Sequence, residues 1–337
     1  MKIDECSHFD QVRAQNRKTI RNLMRHFASI GKSELARISR LSFPTVSAVL
    51  NELLDSNEVI ILPEATSRGG RPGAEYALNP LYHVAICGYL EEETLHLRIC
   101  DTLGNTLSEK IIVITEDIKP EELLELFQEI RKEYPSLSVI SLGVPGVVDK
   151  GVICSLSCFT NINGFPIKEY LEDNLGLPVF MENDTNVFTS AERDTWPDLV
   201  HLFLNHDCIG CGILLNGSLI RGANGFAGEL EHLLVGDGTA DRNLGTILKD
   251  IAVRDTKKKD HIIQLSKIIN TFICTINPPH IAISGFEISE EDLDIILSVL
   301  KAGMEERYLP QLHIVDEVDE LYFTGLTEIV LDYWKSI

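Results

Sequence analysis

No apolar run in this sequence is long enough to cross a membrane, and its first residues, Met1-Lys2-Ile3-Asp4-Glu5-Cys6, are acidic where a secretory leader would be basic. Both absences point to the cytoplasm and to no membrane partner. A disulfide framework is missing too. The eight cysteines are scattered, and Cys87, Cys100, Cys154 and Cys274 sit within apolar runs, where a free thiol behaves as a small buried hydrophobe. Cys208 and Cys211 have C-x-x-C spacing, but no second Cys or His pair stands at zinc-ligand distance, so paired packing positions on a strand explain them better than a metal or redox site. No metal and no cofactor are expected. What the chain does have is apolar material: 337 residues, 44% of them hydrophobic, suffice for two or three packed cores in a multidomain globular protein.

A net charge of -21 argues against nucleic acid, because a phosphate backbone repels an acidic protein. The distribution argues the other way. Residues 11–73 hold ten Lys and Arg against five Asp and Glu, a net of +5, and residues 74–337 carry -24. A basic head on an acidic body is the asymmetry expected when one end alone meets DNA.

Within the head, Ile20, Leu23, Met24 and Phe27 recur at helical spacing and predict a helix over 16–28. Ser33 is placed to cap a second helix over 34–39, Arg40-Leu41 to turn, and Ser42 to cap a third helix over 43–54. Pro44 suits the first turn of that helix, and Val46, Val49, Leu50, Leu53 and Leu54 form its core side. Two short helices joined this way predict a helix-turn-helix, with Thr45, Ser47 and Asn51 as candidates for base contact in the major groove. Strands over 58–62 and 74–78, joined through Ser67-Arg68-Gly69-Gly70-Arg71-Pro72-Gly73, predict a wing whose Arg68 and Arg71 reach a narrow minor groove. A solvated hairpin tip and a protein-interaction module are the plainer readings. No Arg or Lys lies between Phe43 and Leu54, which excludes bidentate guanine recognition by that helix and shifts specificity to Asn51, hydroxyls, thymine methyls and the wing.

Strand patterns over 83–88, 94–101 and 107–114, an acidic helix over 120–134 and a buried strand over 138–142 open an α/β body. Strands over 179–181, 200–204 and 212–215 and a helix over 262–276 begin the pattern again. Several segments carry chemistry: Gly143-Val144-Pro145-Gly146, Glu182-Asn183-Asp184-Thr185-Asn186, Asn216-Gly217-Ser218-Leu219-Ile220-Arg221-Gly222, Ala227-Gly228-Glu229-Leu230-Glu231-His232 and Asn277-Pro278. Asn183 and Asp184 follow a buried strand and so project at its carboxyl end, where α/β folds bind ligands; an amide and a carboxylate together read a diol. Ordinary capping and turn chemistry is the plainer reading of all these polar residues.

Over essentially its whole length the sequence resembles the ROK family of bacterial sugar kinases and sugar-responsive repressors. The resemblance extends to the head, through Leu41-Ser42-Phe43-Pro44-Thr45-Val46-Ser47 and Gly70-Arg71-Pro72. It implies a winged helix-turn-helix over 1–80 joined to a two-lobed, actin-like (ribonuclease H-like, sugar-kinase) body. The lobes would span 81–195 and 196–337, with the C-terminal helix returning to the first. It also implies a sugar site of Asn161, Asn183, Asp184, Glu229 and His232, with Asp184 in the general-base position of the family's kinases.

Measured against that family, the chain has lost its phosphate loops. The first, Asp-x-Gly-Gly-Thr, corresponds to Tyr89-Leu90-Glu91-Glu92-Glu93, and the second, Gly-Thr-Gly-Ile-Gly, to His206-Asp207-Cys208-Ile209-Gly210. Carboxylates repel a triphosphate, and bulk on the loop keeps its backbone from cradling one. The run 233–250 contains no cysteine, so the family's zinc site is absent as well. These losses favour a non-enzymatic, sugar-responsive regulator, a repressor by expectation, that binds duplex DNA as a homodimer or higher oligomer. An active sugar kinase with an appended DNA-binding head is the alternative, and a body serving only as a dimerisation scaffold is a third reading.

Overall fold

The computed structural model describes residues 8–62, 73–91, 93–115, 118–154, 161–204, 209–235, 242–252, 257–285, 288–316 and 318–337. Arg68, Arg71, Glu92, His206, Asp207 and Cys208 lie outside the described residues.

The amino-terminal unit comprises α1 (His8–Met24), β1 (Ile30–Gly31), α2 (Lys32–Ser39), α3 (Phe43–Asp55), β2 (Val59–Leu62) and β3 (Glu75–Leu78). The strands form an antiparallel sheet in the order β1-β3-β2. Ile20, Met24, Leu35, Val46, Leu50, Leu53 and Tyr76 fill the core between sheet and helices. The sequence-based bounds need two corrections. The first helix starts earlier and stops at Met24, leaving Phe27 beyond the closing turn and exposed. The second begins at Lys32 with Gly31 in extended conformation as its cap, because Ile30–Gly31 pairs with β3 and the chain enters the helix straight from a strand. Ser33 therefore caps nothing. Ser42 does cap α3, its Oγ accepting from Thr45 N at 3.2 Å, and Arg40 in the left-handed conformation ends α2.

The body contains two five-stranded sheets. The first uses β4 (Val84–Glu91), β5 (Thr94–Cys100), β6 (Thr106–Val113), β7 (Leu137–Val144) and, after the small hairpin β8 (Val147–Asp149) and β9 (Val152–Cys154), β10 (Val179–Asn183). Its order is β10-β7-β4-β5-β6, antiparallel through the hairpins and parallel from β4 to β10. Helices α4 (Pro120–Glu133) and α5 (Ile167–Leu175) cover one face around Phe127, Ile140 and Leu171.

The second sheet repeats the scheme with β11 (Leu199–Leu204), β12 (Ile209–Leu215), β13 (Ser218–Leu219), β16 (His280–Ser284) and β17 (Gln311–Val315), in the order β13-β12-β11-β16-β17. Before β16 come α6 (Asp184–Ala191), the two-stranded β14 (Leu234–Val235) and β15 (Arg242–Asn243), α7 (Leu244–Ala252) and α8 (Lys257–Thr275); α9 (Glu290–Lys301) precedes β17. Helices α7, α8 and α9 pack over Leu202, Ile269, Ile283 and Ile296. The terminal helix α10 (Val318–Ser336) crosses back to the free face of the first sheet, where Tyr322, Leu326 and Trp334 meet Cys87, Val139 and Phe188. This is an α/β body of two sheets of like construction, each covered by helices.

Candidate functional site

Asp184 is the first residue of α6, immediately after β10, so it stands at the carboxyl edge of the first sheet while α6 packs against β12 of the second. Its Oδ1 accepts from Thr185 N at 2.6 Å and from Thr185 Oγ1 at 3.2 Å. Burial pushes its pKa up to about 6 despite those bonds. Glu229 faces it from the loop after β13, pushed up to about 7 by burial and then by the charges of Asp184 and Glu231. Two desolvated carboxyls, one from each side, are thus near enough for the charge of Asp184 to act on Glu229. Gly228 makes the approach feasible: at φ 98°, a Cβ there would lie 1.9 Å from the Cys211 carbonyl oxygen, so only glycine lets this loop press onto β12.

Asn183 caps α6, with Oδ1 accepting from Asn186 N at 3.1 Å and Nδ2 donating to the Gly146 carbonyl at 3.1 Å. Its amide ties the end of β10 to the loop after β7, which is the capping role the residue type also suggested. His232 ends a single 3-10 turn, Leu230–His232, and is exposed, its ring 5.2 Å from that of Phe226. It stands at the rim while Glu229 faces inward. Asn161 lies in an exposed turn. The structure therefore brings Asn183, Asp184 and Glu229 together and leaves Asn161 and His232 at the surface.

One pair had no signal in the sequence. Glu182 is buried and accepts from Asn183 N at 3.2 Å and from Asn186 Nδ2 at 2.9 Å through Oε1, while its Oε2 takes Arg221 Nε at 2.6 Å. Arg221 follows β13, so this ion pair joins the two sheets beside Asp184. Each residue belongs to a segment with recognisable chemistry; only folding pairs them.

At the first phosphate-loop position the chain closes a tight hairpin, Glu91 opposite Thr94. Tyr89 is buried there, stacked on Tyr322 at 4.0 Å and on His96 at 4.6 Å, with its hydroxyl donating to Asp319 Oδ1 at 3.1 Å. Among the described residues no group of three or more His, Cys, Asp or Glu is placed to hold a metal. Cys211 is buried, and burial pushes its thiol pKa up.

In the amino-terminal unit, Asn51 and Ala48 lie open on α3, whereas Thr45 is half-buried with its hydroxyl 2.8 Å from Ser42 Oγ, within the cap. Ser47 is half-buried. Phe43, not singled out from the sequence, is 50% exposed at the start of the helix. It falls outside the Val46, Val49, Leu50 and Leu53 stripe, which is the signal that could have found it. The basic charge is less available than its count suggests. Arg17 and Arg21 both pair with the buried Glu58, Arg13 with Glu52 and Arg37 with Glu34. Arg25 donates to the Thr102 carbonyl at 2.7 Å, and Lys18 to that of Ser336. The last two tie the head to the body.

The carboxylate site lies between the two five-stranded sheets of the α/β body. Residues 93–246 match the model of the ROK family. It is 21% identical over 252 residues to the DNA-binding transcriptional repressor Mlc of Escherichia coli, covering 69% of this chain and 61% of that protein. It is 24% identical over 238 residues to the xylose repressor of Bacillus spizizenii, covering 66% of this chain and 61% of that protein. The chain thus spans about three fifths of the length of these relatives. The crystal structure of a ROK family transcriptional regulator, a homologue of E. coli Mlc, superposes with a TM-score of 0.69 at 20% identity, over 96% of this chain and 99% of that one.

Proposed function

We propose that this protein is a cytoplasmic, sugar-responsive transcription regulator, by preference a repressor, whose ROK body binds a sugar without phosphorylating it. Residues 1–80 act as a winged helix-turn-helix on duplex DNA, and the lobes over 81–195 and 196–337 hold the sugar between them. The observation that carries the reading is the pair of desolvated carboxyls Asp184 and Glu229, near enough for one charge to act on the other, beside the stacked Tyr89 and Tyr322 rings. Carboxylates accept hydrogen bonds from sugar hydroxyls, and Asn183 with His232 at the rim completes a polyol-binding set. Asn161 borders it. The repressor and xylose repressor similarities supply the DNA partner and a pentose as the first sugar to try.

Sugar-dependent ADP release from ATP is expected to be absent; turnover abolished by Asp184→Asn would make the protein a kinase instead. In a gel-shift titration, Arg68→Ala with Arg71→Ala is expected to weaken DNA binding and to lower the log-log salt slope by up to about two, one for each phosphate that an arginine no longer neutralises. An unchanged slope removes the wing from the interface. Two half-sites read by two weak recognition helices call for a homodimer, so light scattering is expected to give twice 37.7 kDa; a monomer both with and without DNA contradicts this.

A further inference from the structure

The hydroxyl of Tyr322 is buried and finds no hydrogen-bond partner among the described residues. A buried, unpaired hydroxyl costs stability, so one that a fold keeps calls for a partner that is sometimes present. Its position indicates which. In the first sheet Tyr89, Gly143 and Glu182 are side by side in register across β4, β7 and β10. Tyr322 lies over this row, its ring stacked on Tyr89 at 4.0 Å and set edge-on to Phe188 at 4.5 Å. A Cβ on Gly143 would be 2.3 Å from the ring and 3.2 Å from the hydroxyl, so the sequence leaves that position bare to seat the tyrosine. The row ends one residue before Asn183 and two before Asp184, whose charge, with that of Glu91, adds to the effect of burial in raising the Tyr322 pKa.

Tyr322 also belongs to α10, whose 19 residues span about 28 Å at the usual helical rise. The far end of that helix is where the head is tied. Lys18 of α1 donates to the Ser336 carbonyl. Arg25 donates to the Thr102 carbonyl, Thr102 Oγ1 accepts from His83 N at 2.8 Å, and the His83 ring stacks at 5.5 Å on Trp334 of α10. Both tethers of the head converge on the C-terminal turn of the helix that carries Tyr322 at its other end.

We infer that Tyr322 is a sugar-contacting residue whose hydroxyl donates a hydrogen bond to the bound sugar, and that α10 carries the resulting shift to the head. This rests on the sugar-binding reading above. A sugar between Asp184 and Glu229 gains a third, neutral donor from the first-sheet side, and it biases α10 only as far as it binds one helix position better than the other.

The test uses full-length protein with D-xylose, D-glucose and D-mannose as probes, read by thermal shift and by sugar-induced release of DNA. Tyr322→Phe removes only the oxygen. It is expected to leave sugar-free melting and sugar-free DNA affinity unchanged or slightly improved. The sugar concentration for half-release should rise about fivefold, the size of one net hydrogen bond. A lower sugar-free melting temperature with a normal sugar response would make the hydroxyl structural and overturn the inference. Lys18→Met with Arg25→Met is expected to keep the sugar-induced rise in melting temperature and to blunt DNA release; full release in that variant overturns the relay. If Asp184→Ala loses the response and Tyr322→Phe does not, this inference fails alone. Wild-type protein indifferent to all three sugars overturns the parent reading and the inference with it.

Discussion

Glu58→Ala is expected to destabilise the amino-terminal unit by about 3 kcal/mol and to abolish DNA binding at temperatures where the wild-type head is folded. Glu58 is 1% exposed and accepts from Arg17 at 2.7 Å and from Arg21. Removing it leaves the guanidinium groups of Arg17 and Arg21 without a carboxylate, Arg17 keeping only Ser56 Oγ at 3.3 Å. Deleting one partner of a buried pair costs roughly 3–5 kcal/mol, and Arg17, a third exposed, regains water, which places the effect at the lower end. Circular dichroism melts should show an early transition belonging to the head, with Glu58→Gln in between. A melt that overlays wild type would mean that the arginines are paired elsewhere in solution and are available to DNA after all.

The second large effect is on the response to sugar. Asp184→Ala or Glu229→Ala is expected to abolish sugar-induced DNA release while leaving sugar-free DNA affinity intact, because neither residue approaches the head. Variants that respond like wild type would make both carboxylates structural. The same pair predicts a pH dependence. Burial raises Asp184 from 3.8 to about 6 and Glu229 from 4.5 to about 7, so between these values the folded protein binds more protons than the unfolded chain. Their cost to stability is absent below about pH 4 and complete above about pH 7, so stability falls as pH rises through that window. Glu328, also raised to about 7 by burial, adds an effect of the same sign away from the pocket. The difference between wild type and Asp184→Asn/Glu229→Gln therefore isolates the site, and the doubly substituted protein should show a flatter profile. Sugar affinity should move oppositely, strengthening with pH as the carboxylates ionise and become full acceptors. Calorimetric titrations at several pH values that show no trend would separate the pocket from the sugar.

Elements and their ends are legible in the amino-acid order wherever a local rule operates. The stripe of Val46, Val49, Leu50 and Leu53 specifies α3, Ser42 and Pro44 its first turn, and the hairpin strands leading into the alternating β and α segments specify two repeated sheets. The place of Asp184 at the carboxyl end of a buried strand is legible in the same way, whereas Glu229 is reached only through the family resemblance. Missteps came where a neighbour in space replaced one in sequence. Ser33 yields its capping role to a strand pairing between Ile30 and Tyr76, and the basic count of the head does not reveal that Arg17 and Arg21 face Glu58, 41 and 37 positions away. Charge composition records how many ions a segment carries, but not which of them are already neutralised. The same holds for Glu182 with Arg221, which joins the two lobes, and for Tyr322, a tyrosine in a C-terminal helix until α10 folds back and sets it over Gly143 beside Asp184. Capping, periodicity and turns act over a few residues and are written in order along the chain. Ion pairing, desolvation and ring stacking depend on distances between remote segments, which exist only once the chain has folded.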